Sequence, residues 1–414
     1  MKPYNTLLPV LALSCLAAPS YATETEQDLA AQVAKLSEQV AELQKQTDSP
    51  AINLSGRVQL DYNWFNGAYN ANENGSSGSD LFPRRVRAAI DSEFENWDHT
   101  LLLEFAEGTA EIIMARVRYS GFDNGLRLQF GKLREDISLN ALTSSKNTGL
   151  IERSSLADTF SPYFRWGASA YQYNKDNGLR WALGVYKNDA FGSDGEDDSG
   201  KLALAYTGRL TWSETSADQV WHLGAWHSQR DMAGNELAAR VARGELRETA
   251  VRLVDYAAGG DVVTLDSLRQ SGLELAYQLR SLTVEAEYAL RTLNTVDNAS
   301  LLDGTDHSGY YLNVSFFPGG QQRPYSAGSA VFGQPKDIRN AWELVARVSQ
   351  LDTANAGQGT DVTTYTLGGA YYLNPKVKFM ANLMHSSVSG AGQQALSGEE
   401  DSGTGFAARV QYLF

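Results

Sequence analysis

The sequence predicts an all-β protein that closes into a transmembrane antiparallel β-barrel of about 16 strands, preceded by a short coiled-coil helix. Three observations predict this fold: apolar and polar residues alternate over most of the chain, short turns alternate with long polar connections, and the last strand ends on an aromatic residue. Beyond residue 22, no segment of the sequence has the ~20 consecutive apolar residues that a membrane helix needs. A chain of this kind can therefore enter a membrane only as a closed barrel.

Residues 1–22 have the pattern of an export signal. Lys2 supplies the positive charge, Leu7 to Ala18 form an apolar segment, and Ser20-Tyr21-Ala22 is a small-x-small cleavage site. Cleavage after Ala22 removes Cys15, the single cysteine, so the mature chain is expected to have no disulfide and no cysteine-based metal site. A lipoprotein signal ending at Cys15 is the weaker alternative, because Ala12 stands where a leucine would be needed.

Residues 23–49 carry the heptad pattern of a periplasmic coiled coil. Apolar residues recur at alternating steps of four and three, at Leu29, Val33, Leu36, Val40 and Leu43. About three heptads are marginally stable alone, so this helix needs a partner, either copies of itself or another protein. A solvated linker helix is the alternative. Pro50 ends the pattern, and the barrel domain is expected over 51–414.

From Ile52 onward the period of the sequence becomes two. In the first segment, Ile52, Leu54, Val58, Leu60, Tyr62 and Trp64 oppose Asn53, Ser55, Arg57, Gln59, Asp61 and Asn63. The final segment places Phe406, Ala408, Val410, Tyr412 and Phe414 on one face, which resembles the assembly signal of outer-membrane barrels. A soluble β-sandwich would also alternate, but aromatic residues near the strand ends favour interfacial girdles, at Tyr62, Trp64, Tyr119, Trp181, Tyr371 and Tyr372.

The connections predict the topology. Short turns at 121–125, 174–178, 280–281 and 374–376 alternate with long polar stretches near 66–81, 131–162, 228–270 and 388–403. Bacterial outer-membrane barrels have such short periplasmic and long extracellular connections. The expected location is therefore the outer membrane of a Gram-negative bacterium, in contact with its lipid, and a passive diffusion pore is the expected role.

The charges narrow the expected partners. The formal net charge of −14 argues against nucleic acid but not against an anion pore, because selectivity depends on the charges at the constriction. Alternation points many cations inward: Arg57, Arg85, Arg87, Arg116, Arg118, Arg127, Arg165, Arg180, Arg209, Arg280, Arg347, Lys378 and Arg409. Inward carboxylates oppose them: Asp61, Asp91, Glu93, Glu104, Glu274 and Glu343, with Glu285 and Glu287 if their strand follows the same parity.

Two interpretations of these charges remain. A wet lumen with paired charges is one, because lipid excludes charge from the outer face in any barrel. The more specific interpretation is an oxyanion site. Five arginines are predicted on nearby strands, namely Arg85, Arg87, Arg116, Arg118 and Arg127. Arrays of guanidinium groups bind phosphate-like oxyanions. Residues of the 131–162 stretch would add further donors, namely Ser144, Ser145, Lys146 and Arg153.

Ordered motifs along the chain carry a family resemblance. They are Arg84-Arg85-x-Arg87, Trp97, Gln129-Phe130-Gly131-Lys132 with Glu135, Thr143-Ser144-Ser145-Lys146, Glu152-Arg153-Ser154, Ala341-Trp342-Glu343-Leu344, Tyr372-Leu373-Asn374-Pro375, and Phe379-Met380-Ala381-Asn382 with His385. Through these motifs the chain resembles the phosphate-selective porin O/P family over essentially everything after the signal. The resemblance implies a sixteen-stranded homotrimer with inward-folded loops and an arginine ladder.

The resemblance also implies an anion site. Arg84, Arg85, Ser144, Ser145, Lys146 and Arg153 match the family's site, although alternation places Arg84 on the lipid side unless a bulge shifts the register. With the clustered arginines, the expected anion-binding residues are Arg84, Arg85, Arg87, Arg116, Arg118, Arg127, Ser144, Ser145, Lys146 and Arg153. Where the family usually has Asp-Ala-Tyr, this chain has Met114-Ala115-Arg116, which favours anion preference over strict phosphate selectivity.

Other functions remain as alternatives. The many inward acids are compatible with a general, non-specific porin. A tether or adhesin, in which the coiled coil binds a periplasmic partner and the barrel is an anchor, is another. An enzyme is not expected, because the sequence has neither a His-Glu-x-x-His run nor a Gly-x-Ser-x-Gly elbow. No cofactor and no metal site are expected.

Overall fold

The computed structural model describes residues 33–38, 52–192 and 202–414. The chain divides into two compact units, 1–49 and Pro50–Phe414. In the first unit residues 33–38 are helical, and Val33 and Leu36 are exposed on this helix. The predicted export signal and the rest of the predicted coiled coil lie outside the described residues. No helix within the described ranges is long and apolar enough to cross a membrane.

The second unit is a closed antiparallel barrel of sixteen strands, which confirms the predicted fold. Each strand pairs with its neighbours in the chain, and β1 pairs with the last strand to close the wall. The wall strands are β1 (Ile52–Phe65), β2 (Gly78–Phe94), β3 (Trp97–Glu104), β4 (Glu111–Tyr119), β5 (Arg127–Arg134), β6 (Phe164–Tyr173), β7 (Leu179–Lys187), β8 (Leu204–Thr215), β9 (Gln219–Glu236), β12 (Thr264–Leu279), β13 (Leu282–Thr295), β14 (Asp306–Phe316), β17 (Ala341–Asp352), β18 (Asp361–Asn374), β19 (Val377–Ser389) and β20 (Ser402–Leu413). Short strands outside the wall form two hairpin-like pairs, β10 (Arg240–Ala242) with β11 (Val254–Asp255) and β15 (Tyr325–Ser326) with β16 (Val331–Phe332).

The two ends of the barrel differ in the length of their connections. At the end where β1 begins, which we call the turn end, the strands are joined by the short turns 95–96, 120–126, 174–178, 216–218, 280–281 and 375–376. Long segments, including 135–163 and 237–263, leave the opposite end, which we call the loop end. The predicted alternation is therefore confirmed, with one exception. Residues 317–340 join β14 to β17 at the turn end and are long.

The wall separates a lipid-facing surface from the lumen, as the alternation predicts. Val58 and Leu60 are exposed on the outer face, whereas Gln59 and Asp61 are fully buried. Aromatic pairs cluster on the outer face near the turn end, at Trp97–Tyr119, Trp221–Tyr277, Trp342–Tyr371 and Tyr412–Phe414, as in an interfacial girdle. Tyr372 was predicted to belong to the girdle, and this prediction is wrong. Because Tyr372 follows the outward-facing Tyr371, its side chain points into the lumen, where its hydroxyl donates to Glu343 Oε2 at 2.6 Å.

Phe414, the C-terminal residue, joins β1 to β20 at the seam where the barrel closes. The Gly56 amide donates to the Phe414 carbonyl at 3.1 Å, and the Phe414 amide donates to the Gly56 carbonyl at 3.2 Å. A Cβ atom on Gly56 would lie 2.2 Å from Phe414 Cζ and 2.4 Å from the Arg87 carbonyl oxygen. Only glycine therefore leaves room for the terminal ring.

We expect Gly56→Ala to destabilise the barrel by about 1–3 kcal/mol, because the added methyl group overpacks the seam. The free energy of unfolding in detergent or lipid, measured by urea titration, checks this. Gly328→Ala is the matched control, because a Cβ atom at Gly328 meets nothing within 4 Å. Equal stability of the two variants would contradict the importance of the Gly56–Phe414 contact for closing the barrel.

Three segments fold into the lumen. They are the inner loop (135–163), the upper loop (237–263) and the inserted connection (317–340). Buried apolar residues from all three pack with the lumen face of the wall, among them Ile151, Leu156, Leu253 and Phe317. In the upper loop, Glu245 accepts from Arg347 at 2.9 Å and from Ser349 at 2.5 Å. The remaining open volume lies to one side of the lumen.

Candidate functional site: a cation-lined cavity

The inner loop is held by cations of the far wall, β17 to β20. Lys378 Nζ donates to the Thr148 carbonyl at 2.9 Å, Arg409 Nη1 to the Ile151 carbonyl at 2.9 Å, and Arg347 Nη1 to the Glu152 carbonyl at 3.1 Å. Backbone carbonyls that leave water need such donors. These three cations are therefore occupied in positioning the loop.

Two short helices shape the inner loop, Leu139–Leu142 and Ser155–Phe160. Their N-cap residues, Ser138 and Ser154, accept from the third amide that follows, at 3.1 and 3.2 Å, as serine caps do. Glu287 of β13 accepts from the Asn140 amide at 2.7 Å. Arg153 then lies between the helices, where it donates to the Asn140 carbonyl at 3.1 Å and the Thr143 carbonyl at 2.7 Å.

The inserted connection supports the inner loop from the turn end. Arg323 pairs with Glu285 at 3.3 Å and donates to the Asn147 carbonyl at 3.0 Å. Wall arginines tie the connection in place, because Arg180 Nε donates to the Gly328 carbonyl at 3.0 Å and Arg209 Nη2 to the Ala330 carbonyl at 3.2 Å. The lumen is thus narrowed from both ends.

A cavity of about 710 Å³ remains between the inner loop, the inserted connection, Arg247 of the upper loop and the near wall, β1 to β7. Cations dominate its lining, with acids in the minority. The cationic residues are Arg57, Arg84, Arg85, Arg87, Arg116, Arg118, Lys132, Arg134, Arg153, Arg165, Arg180 and Arg247, and the acidic ones are Glu111, Asp136, Glu152 and Asp158.

Arg84 reaches this cavity because of a bulge. The β1–β2 register runs from Gln59 opposite Arg85 to Leu60 opposite Pro83, which leaves Arg84 as the extra residue. Its Nε and Nη2 donate to the two oxygens of Glu152 at 2.8 and 3.1 Å. Burial opposes ionisation of Glu152, but the charge of Arg84 and its hydrogen bonds outweigh this and hold the pKa of Glu152 well below its usual range.

Most cations of the lining have a carboxylate partner. Arg87 pairs with Glu104 at 2.5 Å, Arg165 with Asp189 at 2.9 Å and Arg180 with Asp136 at 2.8 Å. Asp98 is shared by Arg116 and Arg118. In these pairs carboxylates neutralise the cations, and of these acids only Glu104 was predicted from sequence to face inward.

Four guanidinium groups of the lining form no ion pair with any carboxylate in the described part of the chain. We call Arg57, Arg85, Arg134 and Arg153 the open arginine group. Arg57 Nη1 donates to Ser144 Oγ at 3.1 Å, and Arg85 Nη1 donates to Gln59 Oε1 at 3.0 Å. The Nε atoms of Arg57, Arg85 and Arg134 are buried without a hydrogen-bond acceptor among the described residues. The positive charge of these groups is therefore not cancelled by a carboxylate within the described residues.

Eight of the ten anion-site residues predicted from sequence line the cavity: Arg84, Arg85, Arg87, Arg116, Arg118, Ser144, Ser145 and Arg153. The other two lie outside its lining. Arg127 is exposed beside the ring of Tyr171, and the side chain of Lys146 is exposed while its carbonyl accepts from Lys378. Arg280 does not point inward as predicted, because it lies in a turn and is exposed beside Asp218.

The prediction of the site missed several residues. Arg57, Arg165 and Arg180 were expected to face inward but not to belong to the site, and alternation gave no reason to separate them from Arg347 or Arg409. Arg134 was missed because it is the last residue of β5, where the chain leaves the wall and alternation no longer sets the side-chain direction.

A closed sixteen-stranded barrel with an apolar outer face and a lumen narrowed by inserted segments defines an outer-membrane porin of a Gram-negative bacterium. A family model described as phosphate-selective porin O and P matches residues 52–414, and the chain belongs to this family. The predicted family is thereby confirmed. Membership implies a channel rather than an enzyme.

Individual relatives agree with this assignment. Porin O of Pseudomonas aeruginosa is 26% identical over 400 residues, which cover 88% of each chain. An anion-selective porin from Comamonas acidovorans has a TM-score of 0.56 at 13% identity and covers 88% of this chain and 100% of that chain. OmpT of Vibrio cholerae, in its trimer form, has a TM-score of 0.55 at 10% identity and covers 89% of this chain and 100% of that chain. These two solved structures support the fold alone.

Proposed function

We propose that this porin passes small oxyanions, phosphate among them, by passive diffusion through the cation-lined cavity, and that it assembles as a homotrimer. The open arginine group is the observation that carries the proposal, because its charge is not cancelled by acids. The family description names phosphate-selective porins, and a similar structure is an anion-selective porin. The division into an export signal (1–22), a coiled coil (23–49) and a barrel (51–414) is part of this proposal.

The chemistry of the open arginine group favours oxyanions over chloride. A guanidinium group presents several N–H donors in a plane, which match the oxygens of phosphate or a similar oxyanion. The Ser144 hydroxyl beside Arg57 supplies a further donor. Hydrogen bonds to charged partners contribute about 1.5–3 kcal/mol each. Several such bonds at this site can offset the free energy that an oxyanion loses when it gives up its bound water.

Planar-bilayer recording tests this function. The wild-type protein is expected to give an anion-selective reversal potential in a KCl gradient, and added phosphate is expected to reduce the chloride current. Replacement of Arg85 by Ala is expected to raise the phosphate concentration for half-inhibition by about tenfold or more, because one charged hydrogen-bonding partner is lost.

The control for this variant is Arg280→Gln, which removes a positive charge from an exposed turn outside the lumen. It should leave the inhibition unchanged. Cation preference of the wild type, or a current that phosphate does not reduce, would instead favour the general porin. Deletion of 23–49 tests the tether alternative: loss of envelope integrity with permeability and trimers intact would make anchoring the primary role.

A further inference from the structure

Tyr163, the last residue of the inner loop, lines the cavity beside the open arginine group. The Cζ atom of Arg153 lies 5.5 Å from the centroid of the Tyr163 ring, and the Cζ atom of Arg134 lies 5.8 Å from the same centroid. A guanidinium group within about 6 Å of a ring centroid is attracted by the negative face of the ring. One neutral side chain therefore supports two members of the open arginine group.

Hydrogen bonds fix the position of this ring. The Glu135 amide donates to the Tyr163 carbonyl at 3.0 Å, and the Tyr163 amide donates to Ser161 Oγ at 3.3 Å. The Tyr163 hydroxyl donates to Asp158 Oδ1 at 3.2 Å. These contacts hold both the backbone and the outer end of the side chain, so the ring has a defined place where the inner loop joins β6.

The backbone of Tyr163 is strained. Its φ angle is +60°, in the left-handed region that bulky residues rarely adopt. Backbone strain of this kind persists where surrounding contacts enforce it, and it is common at functional sites. The chain keeps an aromatic residue at a position where glycine or asparagine would suit the backbone better, which indicates that the ring itself has a role.

The other contacts of the two arginines are also with uncharged groups. Arg153 donates to two backbone carbonyls of the inner loop, and Arg134 Nη1 donates to a third, that of Leu142, at 2.8 Å. The Arg134 Cζ atom also lies 5.4 Å from the centroid of the Phe164 ring. Within the part of the chain that the structure describes, Asp158 accepts from the tyrosine hydroxyl and forms no ion pair. Carbonyl groups and rings thus hold both guanidinium groups, and neither kind of partner cancels their charge.

A carboxylate in place of this ring would attract the arginines but would cancel one unit of their charge. Other cations of the lining show that arrangement, since Arg87 pairs with Glu104 and Arg165 pairs with Asp189. The attraction of a ring comes from its quadrupole and leaves the formal charge of the guanidinium group unchanged. An aromatic support therefore allows two like charges to stay close together and to remain positive.

We propose that Tyr163 is a positioning residue that holds Arg134 and Arg153 together without neutralising them, and that it thereby sets the anion preference of the cavity. The proposal rests on the proposed function of the pore. Selectivity depends on the charges at the constriction, so a residue that preserves two of these charges acts on selectivity although it carries no charge itself.

Replacement of Tyr163 by Asn tests this inference, because asparagine adopts the left-handed conformation more readily than bulky residues do and has no ring. In planar bilayers, the half-inhibiting phosphate concentration is expected to rise about fivefold, because two attractions between a guanidinium group and the ring are lost. The reversal potential in a KCl gradient should shift toward zero. Tyr163→Phe is the matched control, since it keeps the ring and removes only the hydrogen bond to Asp158, and it should behave as the wild type.

Tyr163→Glu tests separately whether the support must be neutral. Its carboxylate can pair with either arginine, so the reversal potential should shift toward zero by more than that of Tyr163→Asn. Unfolding titrations with urea in detergent check that each variant is folded.

Two results would overturn the proposal even where Arg85→Ala behaves as expected. One is a Tyr163→Phe variant that weakens phosphate inhibition as much as Tyr163→Asn, because the hydroxyl and not the ring would then be responsible. The other is a wild-type response of both Tyr163→Asn and Tyr163→Glu. If phosphate does not inhibit the wild type, the proposed passage of phosphate fails first, and the reversal potentials alone decide the role of Tyr163.

Discussion

Replacement of residues 322–336 of the inserted connection by a short Gly-Ser turn is expected to raise the single-channel conductance roughly threefold and to reduce anion selectivity, because the constriction widens. This segment contains the β15–β16 hairpin, and its buried Arg323 supports the inner loop through the Asn147 carbonyl. Without it, the inner loop loses one of its supports and water enters behind it. Anions would then pass at a greater distance from the open arginine group.

Conductance and reversal potential in KCl measure this effect. Shortening of the largely exposed 296–305 connection is the control, because that segment leaves the loop end and should not change the current. An unchanged conductance after removal of the hairpin would mean that the inner loop alone sets the narrowest point.

The second large effect concerns the ion pair that closes the seam. Arg409 Nε and Nη2 donate to the two oxygens of Asp61, both at 2.6 Å, and both side chains are fully buried. Asp61→Asn is expected to lower the free energy of unfolding by about 3–5 kcal/mol, because it leaves a buried cation with only part of its counter-charge.

Urea titration of the refolded barrel measures this loss. The double variant Asp61→Leu with Arg409→Met should recover part of it, since replacing both partners leaves no buried charge unpaired. Asp218→Asn serves as the control, because the Asp218–Arg280 pair is exposed and its atoms lie 3.7 Å apart, so little stability is at stake. A double variant that is no more stable than Asp61→Asn would argue against this explanation.

The wall could be predicted from sequence because lipid imposes a strict rule. A charge on the lipid face costs ~2–4 kcal/mol at mid-bilayer, so alternation is enforced at nearly every strand position. The same rule predicts correctly that Gln59 and Asp61 face the lumen. It fails at Arg84, where a bulge reverses the direction of the side chain. At Tyr372 alternation holds and the girdle prediction is wrong, because Tyr371 takes the outward position and Tyr372 points into the lumen.

The site was harder to predict, because the partners of each lumen cation come from distant parts of the chain. Alternation treats Arg57 and Lys378 alike, although the first faces the cavity and the second holds the Thr148 carbonyl. No periodic pattern indicates that residues 317–340 would turn back into the barrel. Which cations stay unpaired is decided by the inserted segments, and their folds depend on tertiary contacts.

Lys378, Arg409 and Arg347 fix the position of the inner loop, and they are different residues from those proposed to select the ion. These three residues hold the loop through its backbone carbonyls, which every amino acid provides, so the cavity-facing side chains of the loop can change while these three contacts remain. The residues proposed to meet the permeating ion lie on the near wall and, with Ser144 and Arg153, on the cavity face of the loop itself. A designer could therefore retune this pore for a different solute by exchanging cavity-facing side chains of the near wall and the loop, with the opposite wall kept as a fixed template.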